Sequence, residues 1–161
     1  MTDDLRKTRC CFTGHRPQFL KRPEDDIKVD LENSILKAMV EGYTTFISGM
    51  AYGIDIWAAE IVVRLKSGHP ELHLVAAIPF PGFDEAWNED WRHRYHRLLS
   101  LAEYVKVLEP SFSREAYLKR NEWMVSHSAK VIAVYNGQPG GTQNTIHYAK
   151  RCKVPILFLA G

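Results

Sequence analysis

The sequence predicts an α/β fold: a single doubly wound domain over residues 1–161, with a mostly parallel sheet of about six strands and helices on both faces. Three observations carry this. Short β-rich runs alternate with amphipathic stretches along the whole chain. Residues 72–78 and 131–135 are almost continuously apolar, as strands covered on both faces are. Glycines gather where a strand-like run hands over to a helix-like one, the place where such folds bind ligands.

The elements follow in order. Residues 9–13 read as a buried strand closed by Gly14. Its neighbours Cys10 and Cys11 should point to opposite faces. Residues 24–41 read as a helix, with Ile27, Leu31, Ile35 and Met39 at helical spacing and Leu36 and Val40 beside them. Pro23 suits its start and Gly42 its end. Residues 44–48 form a strand ending at Gly49. A helix over 54–67 carries Ile54, Trp57, Ala58, Ile61, Val62 and Leu65 on one side, and Gly68 and Pro70 end it. After the strand at 72–78, Pro79-Phe80-Pro81-Gly82 forces a loop. Residues 84–101 read as a helix with Trp87, Trp91, Tyr95, Leu98 and Leu99 inward. A short strand at 104–108, a helix at 113–127, a strand at 131–135, a helix at 143–152 and a strand at 155–159 complete the chain.

Composition limits the function. Hydrophobic residues are 45% and charged residues 25%, ordinary for a globular domain, and the net charge of +2 excludes a chain that binds polyanions by bulk charge. No run reaches the ~20 apolar residues a membrane helix needs. The polar start, Met1 to Lys7, has no signal-like core. The expectation is a soluble, cytoplasmic protein with no membrane partner. Three cysteines without CxxC spacing argue against a disulfide framework or a zinc site. His93 and His96 are three apart without an acidic or Cys partner in sequence, so no metal is expected.

Chemistry is expected in the loops beyond the carboxyl ends of strands 1, 2, 3 and 5. In the first, Gly14 allows close backbone approach, His15 can donate or accept, and Arg16 offers planar donors to phosphate. The second runs Ser48-Gly49-Met50-Ala51-Tyr52-Gly53-Ile54-Asp55, where backbone amides at a helix start suit phosphate. It lacks both the GxGxxG fingerprint and the P-loop lysine. Asp55 either starts a helix or binds ribose hydroxyls, and Glu60 fits a helix surface or a catalytic acid. In the third, Gly140-Gly141-Thr142 presents amides and a hydroxyl at a helix start, although Thr142 as an N-cap would explain itself. Asn121 either caps backbone or faces the site. The basic run Arg92 to Arg97 reads as a solvated helix face. Phe80, Phe83 and Phe112 are expected at the surface, closing the site or a dimer face. Together, three such loops point to a nucleotide-like ligand carrying phosphate.

Four stretches, Phe12 to Pro17, Ser48 to Asp55, Arg120 to Val125 and Gly140 to Thr142, closely resemble the bacterial YpsA-like family of the SLOG superfamily. The resemblance covers about residues 9–159 and rests on the four motifs in that order. It implies a Rossmann-like fold and a site for a nucleotide-derived ligand such as NAD or ADP-ribose. Gly14, Arg16, Ser48, Gly49, Gly53, Asp55, Gly141 and Thr142 carry over as ligand-site residues. The superfamily also holds DNA-processing protein A, which binds single-stranded DNA, and the Lonely Guy phosphoribohydrolases. The latter carry PGGxGTxxE with a catalytic glutamate. This chain reads Pro139-Gly140-Gly141-Thr142-Gln143-Asn144-Thr145-Ile146-His147, without the second Gly-Thr pair or the glutamate. The leading expectation is therefore a nucleotide-binding sensor or regulatory protein. The alternatives are an N-glycosidic hydrolase using Asp55 or Glu60, and a single-stranded DNA binder. Domains of this kind often pair, so a homo-oligomer is also expected.

Overall fold

The structure, a computed structural model, describes residues 3–161. Six strands form one sheet: β1 (Arg9–Gly14), β2 (Thr45–Ser48), β3 (His73–Ile78), β4 (Tyr104–Val107), β5 (Lys130–Tyr135) and β6 (Ile156–Ala160). Their order is β4-β3-β2-β1-β5-β6, and every neighbouring pair is parallel. The expected mostly parallel sheet is thus wholly parallel. Among the described residues a short helix α1 (Asp3–Arg6) precedes β1, and five helices connect the strands: α2 (Glu24–Val40), α3 (Ile54–Lys66), α4 (Glu89–Leu101), α5 (Arg114–Ser126) and α6 (Gly141–Arg151), with a short 3₁₀ turn at Pro17–Phe19. No helix among the described residues is long and apolar enough to cross a membrane.

The strand order explains the layers. From β1 the chain steps outward through β2, β3 and β4, and α2, α3 and α4 pack side by side along that path. It then returns across the sheet to β5 on the other side of β1, and α5 packs with α6. Right-handed crossovers put the two sets on opposite faces. Cys10 and Cys11 register the division. Cys10 lies in the core cluster with Ile27, Leu31, Phe46 and Trp57, whereas Cys11 lies in the one with Ile47, Val131 and Ile146. Adjacent strand residues face opposite ways, so two neighbouring cysteines serve two cores.

Some boundaries differ from the expected ones. α4 starts at Glu89, not residue 84, because Asn88 takes the N-cap and its side-chain oxygen accepts from the Trp91 amide at 3.0 Å. The preceding turn is held by buried Asp84, which meets Arg92 at 3.4 Å and His96 at 2.9 Å. α6 starts two residues early, at Gly141, and its N-cap is Gly140 at φ 142°. Thr142 is therefore not the cap; it sits inside the first turn, buried. Phe80 and Phe83 are not on the surface either. Both are buried in a chain of edge-to-face rings with Trp87 and Tyr95, while Phe112 is exposed and leans edge-on against Phe80.

Candidate functional site

β1 and β5 are neighbours whose outgoing chains diverge to opposite faces, the topological switch point at which doubly wound sheets open a crevice. A cleft of about 600 Å³ lies there. The loop after β1 supplies Gly14, His15 and Arg16; the loop after β5 supplies Gly140, Gly141 and Thr142; α3 supplies Asp55 and α5 supplies Asn121. Eight of the residues singled out in the sequence therefore converge on one space.

The β2–α3 turn behaves differently from the expected phosphate cradle. Two of its amides are already taken: Met50 N–H donates to Ser48 Oγ at 3.1 Å and Ala51 N–H donates to Asp55 Oδ2 at 3.3 Å. Ser48 Oγ in turn donates to the Asp55 carbonyl at 2.8 Å. Met50 is fully buried at φ 62°, and Gly53, at φ 99°, lies so close to Pro17 that a Cβ would stand 2.7 Å from Cδ of that ring. Ser48, Gly49, Met50 and Gly53 shape the turn without lining the cleft; Ala51 and Asp55 do line it. Gly14 needs its missing side chain for packing, since a Cβ there would fall 2.5 Å from Cγ1 of Ile54. The loop after β3, expected at the site, folds into the aromatic cluster instead.

Asp55 is the chemical centre of the cleft. It is 8% exposed, and its second carboxylate oxygen, Oδ1, is buried without a hydrogen-bond partner. Burial pushes its pKa up from 3.8 to about 6, against the opposing pull of the Arg120 guanidinium and the Ala51 amide. Arg120, 6% exposed, is the site residue that sequence reasoning missed. It reaches in from α5, donates from Nη1 to the Gly49 carbonyl and from Nε to Asn121 Oδ1 at 2.8 Å, and lines the cleft. It lies within a motif singled out for its neighbour Asn121, and a buried-cation reading of Arg120-Asn121 would have found it. A Cβ on Gly49 would stand 3.0 Å from both Arg120 Nη1 and Asp55 Oδ2, so this glycine lets the two charges flank the same backbone.

The rest of the cleft is ready for a polar ligand. His15 stacks on Tyr135, 5.6 Å between ring centroids, and its Nε2 is buried without a partner. Burial lowers its pKa below the ordinary imidazole value, favouring the neutral ring. Arg16 lies 4.6 Å over the Tyr52 ring. At α6, the amides of the first turn have no intrahelical acceptor, and space around Gly140 and Gly141 is open. Glu60 is elsewhere: it is locked to Arg94 by hydrogen bonds of 2.6 and 3.0 Å and does not line the cleft. Among the described residues, no group of three or more His, Cys, Asp or Glu is placed to hold a metal ion.

The chain is similar to known proteins. A profile described as the YspA SLOG family matches residues 10–154. The chain is similar to the SPbeta prophage-derived protein YoqJ of Bacillus subtilis, at 34% identity over 147 residues and 84% of each chain. It is 31% identical over 128 residues to a UPF0398 protein of Halalkalibacterium halodurans, covering 78% of this chain and 68% of that one. Its fold superposes on DNA processing protein A from Helicobacter pylori, a structure concerned with a single-stranded DNA binding mode. The TM-score is 0.65 at 18% identity, covering 98% of this chain and 67% of that one. The same protein from Streptococcus pneumoniae matches at TM-score 0.67 and 16% identity, with this chain spanning about half of it (52%).

Proposed function

The chain belongs to the YspA SLOG family, and on that premise we propose that its cleft binds a phosphorylated nucleoside compound of the NAD or ADP-ribose class, in a sensing or regulatory role. One observation carries the reading. Asp55 Oδ1 is a buried acceptor without a partner, at a cleft that also holds the free amides of a helix N-terminus. An unpartnered buried carboxylate oxygen costs about 1–3 kcal/mol or more, and a ligand hydroxyl would recover it. In this reading Asp55 accepts from a ribose hydroxyl, and the first turn of α6 with Arg16 holds phosphate.

A second reading is favoured by the raised pKa of Asp55. A carboxyl titrating near neutrality suits proton transfer, as hydrolysis of an N-glycosidic bond would need. The DNA-binding reading gains less support. In the basic run on α4, Arg92 is engaged by Asp84, Arg94 by Glu60 and Asp90, and His96 by Asp84. That helix face offers little loose charge to track a phosphate backbone.

The test is isothermal calorimetry with ADP-ribose, NAD, AMP and a short oligonucleotide, on the wild type, Arg16→Ala and Asp55→Asn. Binding of one nucleotide, weakened about tenfold or more by each variant, is expected, as for loss of a charge-assisted hydrogen bond. Heat from the oligonucleotide alone would transfer the site to nucleic acid. Silence with every nucleotide sinks the proposal. Time-dependent release of free base, lost in Asp55→Asn, would establish the hydrolase.

A further inference from the structure

Helix α2 is apolar on two opposite sides. Ile27, Leu31, Ile35 and Ala38 face the core and are buried. Val29 and Val40 are 58% and 89% exposed, and Leu36 between them is partly buried. At about 100° per residue these three fall within roughly 40° of one another, on the side away from the core stripe. A surface helix needs one apolar stripe; among the described residues the second lies largely open at Val29 and Val40.

Beside this stripe runs a groove of about 840 Å³ between α2 and α3. Val29 and Ile61 contribute to its walls, and so does Trp57, which is 2% exposed and whose indole Nε1–H is buried without an acceptor. The lining charges balance, with Asp25, Glu32 and Glu60 against Lys28, Arg64 and Arg97. Several are already paired: Arg64 with Glu32, Lys28 with Glu24, and Glu60 with Arg94. A small ion finds no surplus charge here, whereas a protein surface of the same mixed character fits.

The charges are also polarised along the helices. α2 opens with Glu24, Asp25 and Asp26, and α3 ends with Arg64 and Lys66. Both helices link parallel strands on the same face, so they run in the same direction. A two-fold axis perpendicular to the helices reverses them. It sets the acidic end of one copy on the basic end of the other, twice, and opposes the helix dipoles.

We propose that the outer face of α2 and the α2–α3 groove form a self-docking surface, on which two copies of this chain pack antiparallel about a two-fold axis. Val29 enters the partner's groove. None of the groove's residues belongs to the cleft around Asp55, so the pair forms with or without a ligand.

Sedimentation velocity across a concentration series tests this, with circular dichroism to confirm that each variant is folded. The wild type is expected to be a reversible dimer, and Val29→Arg to raise its dissociation constant by at least about tenfold. Asp25→Lys and Arg64→Glu should each weaken self-association by a similar factor. An equimolar mixture of those two variants should recover dimer, since each then presents the charge its partner lacks. A wild type that stays monomeric, a dimer indifferent to Val29→Arg, or a mixture without recovery would each overturn the proposal.

Discussion

Replacing Asp55 by Asn should remove a pH-dependent loss of stability, so that the variant gains on the wild type as pH rises. The native state holds the Asp55 proton up to about pH 6, while the unfolded chain releases it near 3.8. Between those values the native state binds more protons than the unfolded state. Stability from this group therefore falls as pH rises through the window, and the loss is complete above the folded value. A shift from 3.8 to about 6 corresponds to a full loss of roughly 3 kcal/mol. Between about pH 4.5 and about pH 8 the change is about 2 kcal/mol. Asn is neutral throughout and escapes it. The effect of parting Arg120 from a carboxylate does not alter this slope, because protonated Asp55 and Asn are both uncharged. Urea denaturation of the wild type and Asp55→Asn at several pH values measures the difference directly. The two stability curves should diverge with rising pH by about 2 kcal/mol, or roughly 4–8 °C in melting temperature. Parallel curves would refute the argument, since Asp55 would then titrate alike folded and unfolded. Relative to the wild type the variant is expected to gain stability as pH rises while losing affinity for the proposed ligand.

Three other outcomes follow from the packing. Gly14→Ala should lower stability by about 1–3 kcal/mol in the same assay, because its Cβ would collide with Ile54 at 2.5 Å inside a filled core. Arg120→Met should cost about 2–4 kcal/mol at neutral pH, where it leaves both Asp55 and the Gly49 carbonyl without their cation; melting curves on either side of pH 6 should show a smaller cost on the acid side. Thiol titration with a disulfide reagent should show one fast cysteine, Cys152, with Cys10 and Cys11 reacting only on unfolding. Both of those are buried, and burial pushes Cys11 up to about 12.

The fold was legible because its signals are local. Alternating strands and helices, the apolar runs of β3 and β5, and the opposite facing of Cys10 and Cys11 need only short-range periodicity. The strand-following loops were legible as well, and the rule that ligands sit at carboxyl ends brought Gly14, Arg16, Asp55 and Gly141 together before any coordinates. What failed was tertiary. The amides of Met50 and Ala51 look free in sequence, but side chains of Ser48 and Asp55 fold back to occupy them. Glu60 looks like a spare acid until α4 brings Arg94 against it. Arg120 reads as one more helix charge, because nothing in its neighbours reveals that α5 recrosses the sheet and lowers it beside Gly49.

That recrossing has a bearing on synthesis. β1 pairs on one side with β2, which follows soon after it, but on the other side Cys10 waits for Lys130, about three-quarters of the chain later. At cellular rates the ribosome takes about ten seconds to supply that partner. For that interval the strand destined for the middle of the sheet has an open edge, and its apolar Cys10-Cys11-Phe12 is available to any other strand. The half of the cleft contributed by β1 also stands without its opposing loop. The cleft is thus complete only after nearly all of the polypeptide has emerged, and a nascent chain halted in α5 would carry the Asp55 turn with nothing yet to face it.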